Sequence, residues 1–448
     1  MAVRTTDSGG NGRRRSGRLG PVLGIGGLLL VVLGLASACS ASSGGLLPGG
    51  SMRLAWDVPF DDSAREYGNG DWLVGDTVVR SRYDAVTAFD AGSGKQRWEY
   101  VPPGREAVCA VSRRADRSVV LIARGAVGPG GGCATVAALD LTNGRELWHT
   151  RRTPADRTDS LTDLVATGGG LAVLRDGYDD WAYRTYEKRR VLPGSEALRA
   201  FDLRTGAPRW KAAVPHGCVP ERVAAAERQV VAVLACDRTE LKLAAFAPAD
   251  GKERWTVPLG GRPTPGTDAD VTLLSADPLV VQVGGTVHGS AGAYLAFGED
   301  GRALGRIEAT GDHGTIPTHK PAQVAVADGR LHAVAEGKDG RQYRDRVVTF
   351  DLATGHEVWR EMVPATSKLL ALDATGGRVT ALADRGSRND GLEELFVLDA
   401  ATGDEQDRRT FDADVDKKQG ELADLLTHRG LVIAVRSGAQ PFSAYERG

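Results

Sequence analysis

One phrase recurs along the chain and constrains everything else: Ala88-Phe89-Asp90, then Gly94, then Trp98. It returns with Asp140, Gly144 and Trp148, with Asp202, Gly206 and Trp210, and with Asp351, Gly355 and Trp359. A further copy keeps Gly251 and Trp255 but has Ala247 at the Asp place. Two copies are worn. Ala296 to Gly301 is one residue short with Gly305 at the Trp place, and the copy with Asp399 and Gly403 has Asp407 there. An eighth start is Ala444-Tyr445-Glu446. The starts fall at 88, 138, 200, 245, 296, 349, 397 and 444, in steps of 45 to 62 residues. A period near ~50 made of short strands marks a β-propeller blade, a unit that buries its faces only against its neighbours.

The phrase has a physical reading. Its apolar pair ends a strand, and the Asp accepts hydrogen bonds from N–H groups of the turn that follows. The Gly takes a φ > 0 position that closes the hairpin. Four residues on, the Trp lies on the next strand, where a large flat ring can wedge against a neighbouring sheet. Two strand-like runs precede each phrase, for example 71–74 and 77–81, or 223–226 and 229–235, giving four strands per unit. After Asp407 strands are expected near 422–428, 431–436 and 442–446, with no fourth to follow. At the other end, Arg53-Leu54-Ala55-Trp56-Asp57-Val58-Pro59 matches the fourth strands at Lys95–Pro102 and Ala207–Pro215. The N-terminal strand should therefore complete the last blade, pairing both open edges. The expected fold is all-β: an eight-bladed β-propeller of four-stranded antiparallel blades over residues 51–448. Seven blades, with one worn unit absorbed as an insertion, is the alternative. The 58 glycines in 448 residues suit a fold with turns in every blade.

Residues 1–19 are polar and basic, with Arg13, Arg14, Arg15 and Arg18, whereas 20–38 carry no charge and run through Ala36-Ser37-Ala38 into Cys39. That is the layout of a secretory signal over 1–38. The junction resembles the lipobox of bacterial lipoproteins, which implies cleavage before Cys39 and lipid on its thiol; Ala36 departs from the commoner leucine. An uncleaved signal anchor is the alternative, because about 19 apolar residues can span a bilayer. Residues 39–50, rich in Ser and Gly, read as a flexible tether. Without 1–38 the chain carries 51 basic against 57 acidic side chains, a net charge of −6. That balance argues against a nucleic-acid partner.

The repeat as a whole is similar to that of the PQQ-binding-like family, the quinoprotein alcohol dehydrogenase-like propellers. Bacterial lipoproteins resembling outer-membrane assembly factor B and kinase sensor domains share it. The resemblance implies an eight-bladed propeller across 51–448. It also sets a test for enzyme chemistry, since family dehydrogenases carry a vicinal Cys-Cys pair over pyrroloquinoline quinone (PQQ) and Glu, Asn and Asp ligands for calcium. This chain has no adjacent cysteines and no Cys-x-x-Cys-His. At about 51 residues per blade it also lacks the long insertions that build a lid over such a site.

Beyond Cys39, the cysteines lie two by two within single units: Cys109 with Cys133, and Cys218 with Cys236. Outside the cytoplasm disulfides persist, so two within-blade bridges are expected. The longest step marks an insertion in blade 3 carrying Tyr178, Trp181, Tyr183, Tyr186 and Arg189, side chains enriched at protein interfaces. A plain hairpin extension with cross-strand aromatic pairs is the alternative reading. Asp176, Asp179 and Asp180 lack the order of a calcium loop. His313 and His319 read as solvated, and the glycine run 125–132 lacks the Gly-Lys of a phosphate loop.

These readings converge on an exported lipoprotein at the outer face of the cytoplasmic membrane, monomeric and held there by its lipid. Its propeller would bind or scaffold a cell-envelope protein or ligand. No catalytic residue, metal ligand or cofactor is assigned. A PQQ-dependent dehydrogenase, or another propeller enzyme acting on a small ligand, is the alternative.

Overall fold

The computed structural model describes residues 50–59, 70–126, 133–152, 163–176, 197–236, 240–259, 271–284, 292–339, 342–364, 368–384, 392, 394–411, 422–437 and 441–448. Residues 1–49, with Cys39 and the stretches read from sequence as a signal and most of a tether, lie outside them. The only helical segments among the described residues are two 3-10 turns, Pro103–Arg105 and Pro321–Gln323, so none is long and apolar enough to cross a membrane.

Strand Val230–Cys236 shows why these sequences make blades. Its residues VVAVLAC form an unbroken apolar run, all buried. Val230, Ala232 and Leu234 pack towards one neighbouring sheet, while Val231, Val233 and Ala235 pack towards the other. A strand with both faces covered has no reason to alternate with polar residues. The cores therefore lie between blades, one shared cluster per pair of facing sheets.

Blade 1 consists of Gly70–Val74, Thr77–Ser81, Val86–Asp90 and Gln96–Tyr100, each strand antiparallel to the last. Blades 2, 3, 4 and 5 repeat this order, starting from Ala107–Val111, Val165–Gly168, Cys218–Ala225 and Val271–Ala276. First strands of successive blades contact one another, which places them around a central channel. The antiparallel order also fixes two faces. Turns from first to second strand and from third to fourth emerge on one (the turn face); all other connections emerge on the opposite, link face.

Blade 8 closes the ring. It is built from Leu422–His428, Leu431–Arg436 and Phe442–Arg447, with Ser51–Asp57 as its outermost strand. The pairing runs from Met52↔Arg447 to Asp57↔Ser443 and is tied off by the Gly448 N–H donating to the Ser51 carbonyl at 2.8 Å. The expected eight blades and N-terminal closure are thus what the chain forms. One feature was not foreseen. Ser51 and Met52 also pair in parallel with Thr410 and Phe411 of blade 7, so blades 7 and 8 merge into an eight-stranded sheet. Blade 6 is enlarged as well, with a small hairpin, Thr310–Gly311 and Gly314–Thr315, added to its long strands Arg330–Asp339 and Gln342–Asp351.

The repeated phrase makes the joints between blades. Asp202 accepts from the N–H groups of Arg204 and Thr205, from the Thr205 hydroxyl, and from Arg209 at 2.6 Å. The Arg209 bond first, then the turn donors, hold its carboxyl down at about 2. The turn so fixed receives the Trp of the preceding blade. Trp148 donates its indole N–H to the Leu203 carbonyl at 2.9 Å, one residue past Asp202, and lays its ring on Gly206. Gly206 has φ +72°, and a Cβ there would lie 2.6 Å from that ring, so two independent demands select glycine. Trp56, Trp210, Trp255 and Trp359 repeat the bond to Ala91, Pro248, Glu299 and Ala400. Trp98 packs on Gly144 in the same way, though its N–H has no acceptor among the described residues.

Candidate functional site

The recognition residues proposed from sequence (Tyr178, Trp181, Tyr183, Tyr186 and Arg189) lie outside the described residues. What is described is their base. Leu171–Asp176 and Ala197–Asp202 pair along their full length, so residues 177–196 leave blade 3 from the link face. Arg199 grips Asp176 there through bonds of 2.5 and 2.9 Å. Asp176, weighed as a calcium ligand, is thereby committed to an ion pair.

Disulfides join Cys109 to Cys133 and Cys218 to Cys236. The second pair are register partners at the link-face ends of adjacent strands. The bridges belong to blades 2 and 4, so they flank the insertion-bearing blade on both sides. Cross-links over 24 and 18 residues each restrict the unfolded chain, an effect of about 3 kcal/mol for loops of that size.

A row of buried arginines crosses the same face and was not singled out from the sequence. Arg436, Arg80, Arg124 and Arg175 occupy the link-face ends of the second strands in blades 8, 1, 2 and 3, all 5% exposed or less. Arg80 donates to the Arg436 carbonyl at 2.9 Å and Arg175 to the Pro220 carbonyl at 3.1 Å, each reaching into an adjacent blade. Arg124 pairs with Glu106 and, at 3.4 Å, with Glu146, which also accepts the Tyr100 hydroxyl. The signal was present: VVRS, IARG, VLRD and AVRS each place an arginine near the end of an apolar run.

Carboxylates gather in the channel where the ring closes. Asp71, Asp424 and Asp373 come from the first strands of blades 1, 8 and 7. Burial first, and then the Asp424 charge beside it, hold the Asp71 carboxyl well above the usual range. Burial likewise raises Asp424 and Asp373, although Thr427 and Thr375 donate to the latter at 2.9 Å. Arg80, the cross-strand partner of Asp71, is pushed down to about 10 by burial against the pull of that carboxylate. No group of three or more His, Cys, Asp or Glu arranged to hold a metal ion occurs among the described residues.

A cavity of about 350 Å³ opens at the turn-face end of the channel between blades 2 and 5. Arg113 to Arg117, the turn between the first two strands of blade 2, form one wall. The inner strands of blades 3, 4 and 5 form the others. Arg113 binds Asp163 at 2.5 Å and Arg222 approaches the same carboxylate at 3.6 Å. Asp116 accepts the Gly170 N–H at 2.7 Å, and Thr167 donates to the Arg114 carbonyl at 2.6 Å. Arg228 neutralises Asp277 at 2.7 Å.

His313 corrects an expectation. It is 7% exposed and sits edge-on to Phe350 at 5.0 Å, where burial lowers its pKa, while His319 remains at the surface. The Thr310–Thr315 hairpin folds it inward, and no local pattern announces that hairpin.

A family model described as outer membrane protein assembly factor BamB matches residues 53–217 and 184–359. The chain belongs to the BamB family. No protein of curated function matches its sequence. Among solved structures, BamB from Moraxella catarrhalis is 15% identical with a TM-score of 0.50, over 88% of this chain and 99% of that one. Quinohemoprotein alcohol dehydrogenase from Comamonas testosteroni is 12% identical with a TM-score of 0.52, over 88% and 76%. At such identities the two structures share a fold with this BamB-family chain and nothing finer.

Proposed function

We propose that this protein is a docking module of the cell envelope, exported and tethered by lipid at Cys39, whose rigid ring holds a protein partner on its link face. The observation that carries this reading is the closed ring of BamB-family blades, with bridges flanking the blade that bears the aromatic insertion. Rigid scaffolds with functional connections are a recurrent arrangement for binding. The cysteines of the ring favour this reading over a quinone enzyme: they are spent on bridges spanning 24 and 18 residues and leave none for the vicinal Cys-Cys pair of the quinoprotein dehydrogenases.

Crosslinking and pull-down from intact cells, with and without residues 176–192, test the reading. Loss of a specific envelope partner on deletion supports it; unchanged partners remove the insertion as the recognition element. Cys39→Ala should release the protein from membranes, and continued retention would favour an uncleaved anchor. Adding PQQ and calcium to the purified protein should give no quinone absorbance shift and no dye-linked dehydrogenase activity. Either signal would restore the enzyme reading.

A further inference from the structure

The turn-face cavity lies across the ring from the proposed docking face and stands apart from that reading. Its charged lining is mostly neutralised from within. Asp163 is held by Arg113 and Arg222, Asp277 by Arg228, and Asp116 by a main-chain N–H. Arg114 and Arg117 are different: neither guanidinium has a hydrogen-bond or ion-pair partner among the described residues. Both belong to one turn, whose tight path is set by left-handed backbone at Arg117 (φ 48°) and Ser118 (φ 62°). The Arg114 main chain is pinned by Thr167, so its side chain springs from a fixed point on the cavity wall. Both arginine side chains are exposed at the cavity mouth, where Arg114 stands beside the like charge of Arg113.

We propose that this cavity binds a small carboxylate with an apolar body. Arg114 receives the carboxylate through its planar pair of N–H donors, and Arg117 adds positive potential at the rim. The body lies towards Ala224, Ala226 and Leu274, the partly exposed apolar residues of the walls. The first strands of blades 3, 4 and 5 have a ladder partner on one side only, and apart from the Val223 N–H, which donates to the Asp163 carbonyl, their inner edges supply main-chain groups for any further polar atom. About 350 Å³ is at the small end of ligand pockets and suits an acid of roughly ten heavy atoms. An organic carboxylate is favoured over phosphate because phosphate has no apolar body to cover those walls.

Calorimetric titration of the purified protein with 3-phenylpropionate, 3-phenylpropanamide and inorganic phosphate tests the assignment. The acid should bind, the uncharged amide about tenfold or more weakly, and phosphate no better than the amide. Arg114→Gln should weaken the acid about tenfold while leaving the amide and the melting temperature unchanged. Arg302→Gln, on an exposed turn of blade 5, should change nothing. Equal affinity for acid and amide, unchanged acid binding in Arg114→Gln, tighter binding of phosphate, or no heat with the acid at millimolar concentration would each overturn the proposal. Pull-down results with the 176–192 deletion do not bear on these outcomes, so either idea can fail alone.

Discussion

At the joint between blades 3 and 4, the Trp210 indole donates to the Pro248 carbonyl at 2.8 Å and its ring covers Gly251. At the joint between blades 5 and 6 no indole takes part, because Gly305 stands at the Trp place. The main-chain N–H of Gly305 itself donates to the Leu352 carbonyl at 3.0 Å, one residue past Asp351, where a Trp would otherwise bond. The two backbones come so close that a Cβ on Gly305 would lie 2.6 Å from that same oxygen. At the joint between blades 7 and 8, Asp407 reaches Arg447, one residue past Glu446, at 3.3 Å, and the parallel pairing of Ser51 and Met52 adds to it. The first two joints therefore address the same turn carbonyl, one through an indole and one through the main chain, whereas the third is held by an ion pair and a short parallel ladder.

The comparison can be broken most directly at an ordinary joint. Trp210→Ala should lower stability by about 3 kcal/mol through lost ring burial and a lost bond, read from the urea midpoint. A cost below about 1 kcal/mol would mean the indoles fill space without holding blades. Gly305→Trp should also destabilise, by about 2 kcal/mol, although it restores the commoner residue, because the blades already touch there. A gain in stability would show that position to be wear after all. Asp407→Asn should cost about 1 kcal/mol, with the difference shrinking at high salt, whereas the Trp210 variant should be insensitive to salt.

Acid sharpens the contrast between the joints and the channel with the smallest effect. Asp202, held down at about 2, contributes stability above its unfolded pKa near ~4, and this is lost as the pH falls towards 2. Asp71 and Asp424, held up, work in the opposite sense. Their contribution is present below that unfolded pKa and disappears as the pH rises through their raised values. Urea midpoints should therefore rise from neutral pH towards about 4 and fall below it. Asp71→Asn should flatten the neutral limb, and Asp202→Asn the acid one. A wild-type profile that falls steadily from neutral pH would contradict the channel half.

The ring was legible in the sequence because its determinants are local. The strand runs near 422–428 and 431–436 are what the chain forms, since short apolar runs separated by turn residues declare themselves within a dozen residues. Gly305 and Asp407 were misjudged as wear for the complementary reason. A pattern of residue types does not record which bond each residue makes. The cavity was invisible because its walls, from Arg113 to Asp277, come from four successive blades, and nothing in one blade points to the next. The arginine row was open to view, yet a charge inside an apolar run reads as an interruption until burial shows it as a rule.

The strand that closes the ring, Ser51–Asp57, is also the first strand of the described chain. Its ladder begins at Met52 with Arg447 and ends at Asp57 with Ser443, so both chain ends leave from the same edge. Tension on the N-terminus would act on the Met52 end first and part the ladder pair by pair, with Trp56 and its hold on blade 1 the last to go. A ladder loaded this way is peeled, whereas one loaded along its length must break all its bonds together. Force applied on the N-terminal side of Ser51 would therefore meet the seam of blade 8 before any of the seven blades made from continuous chain.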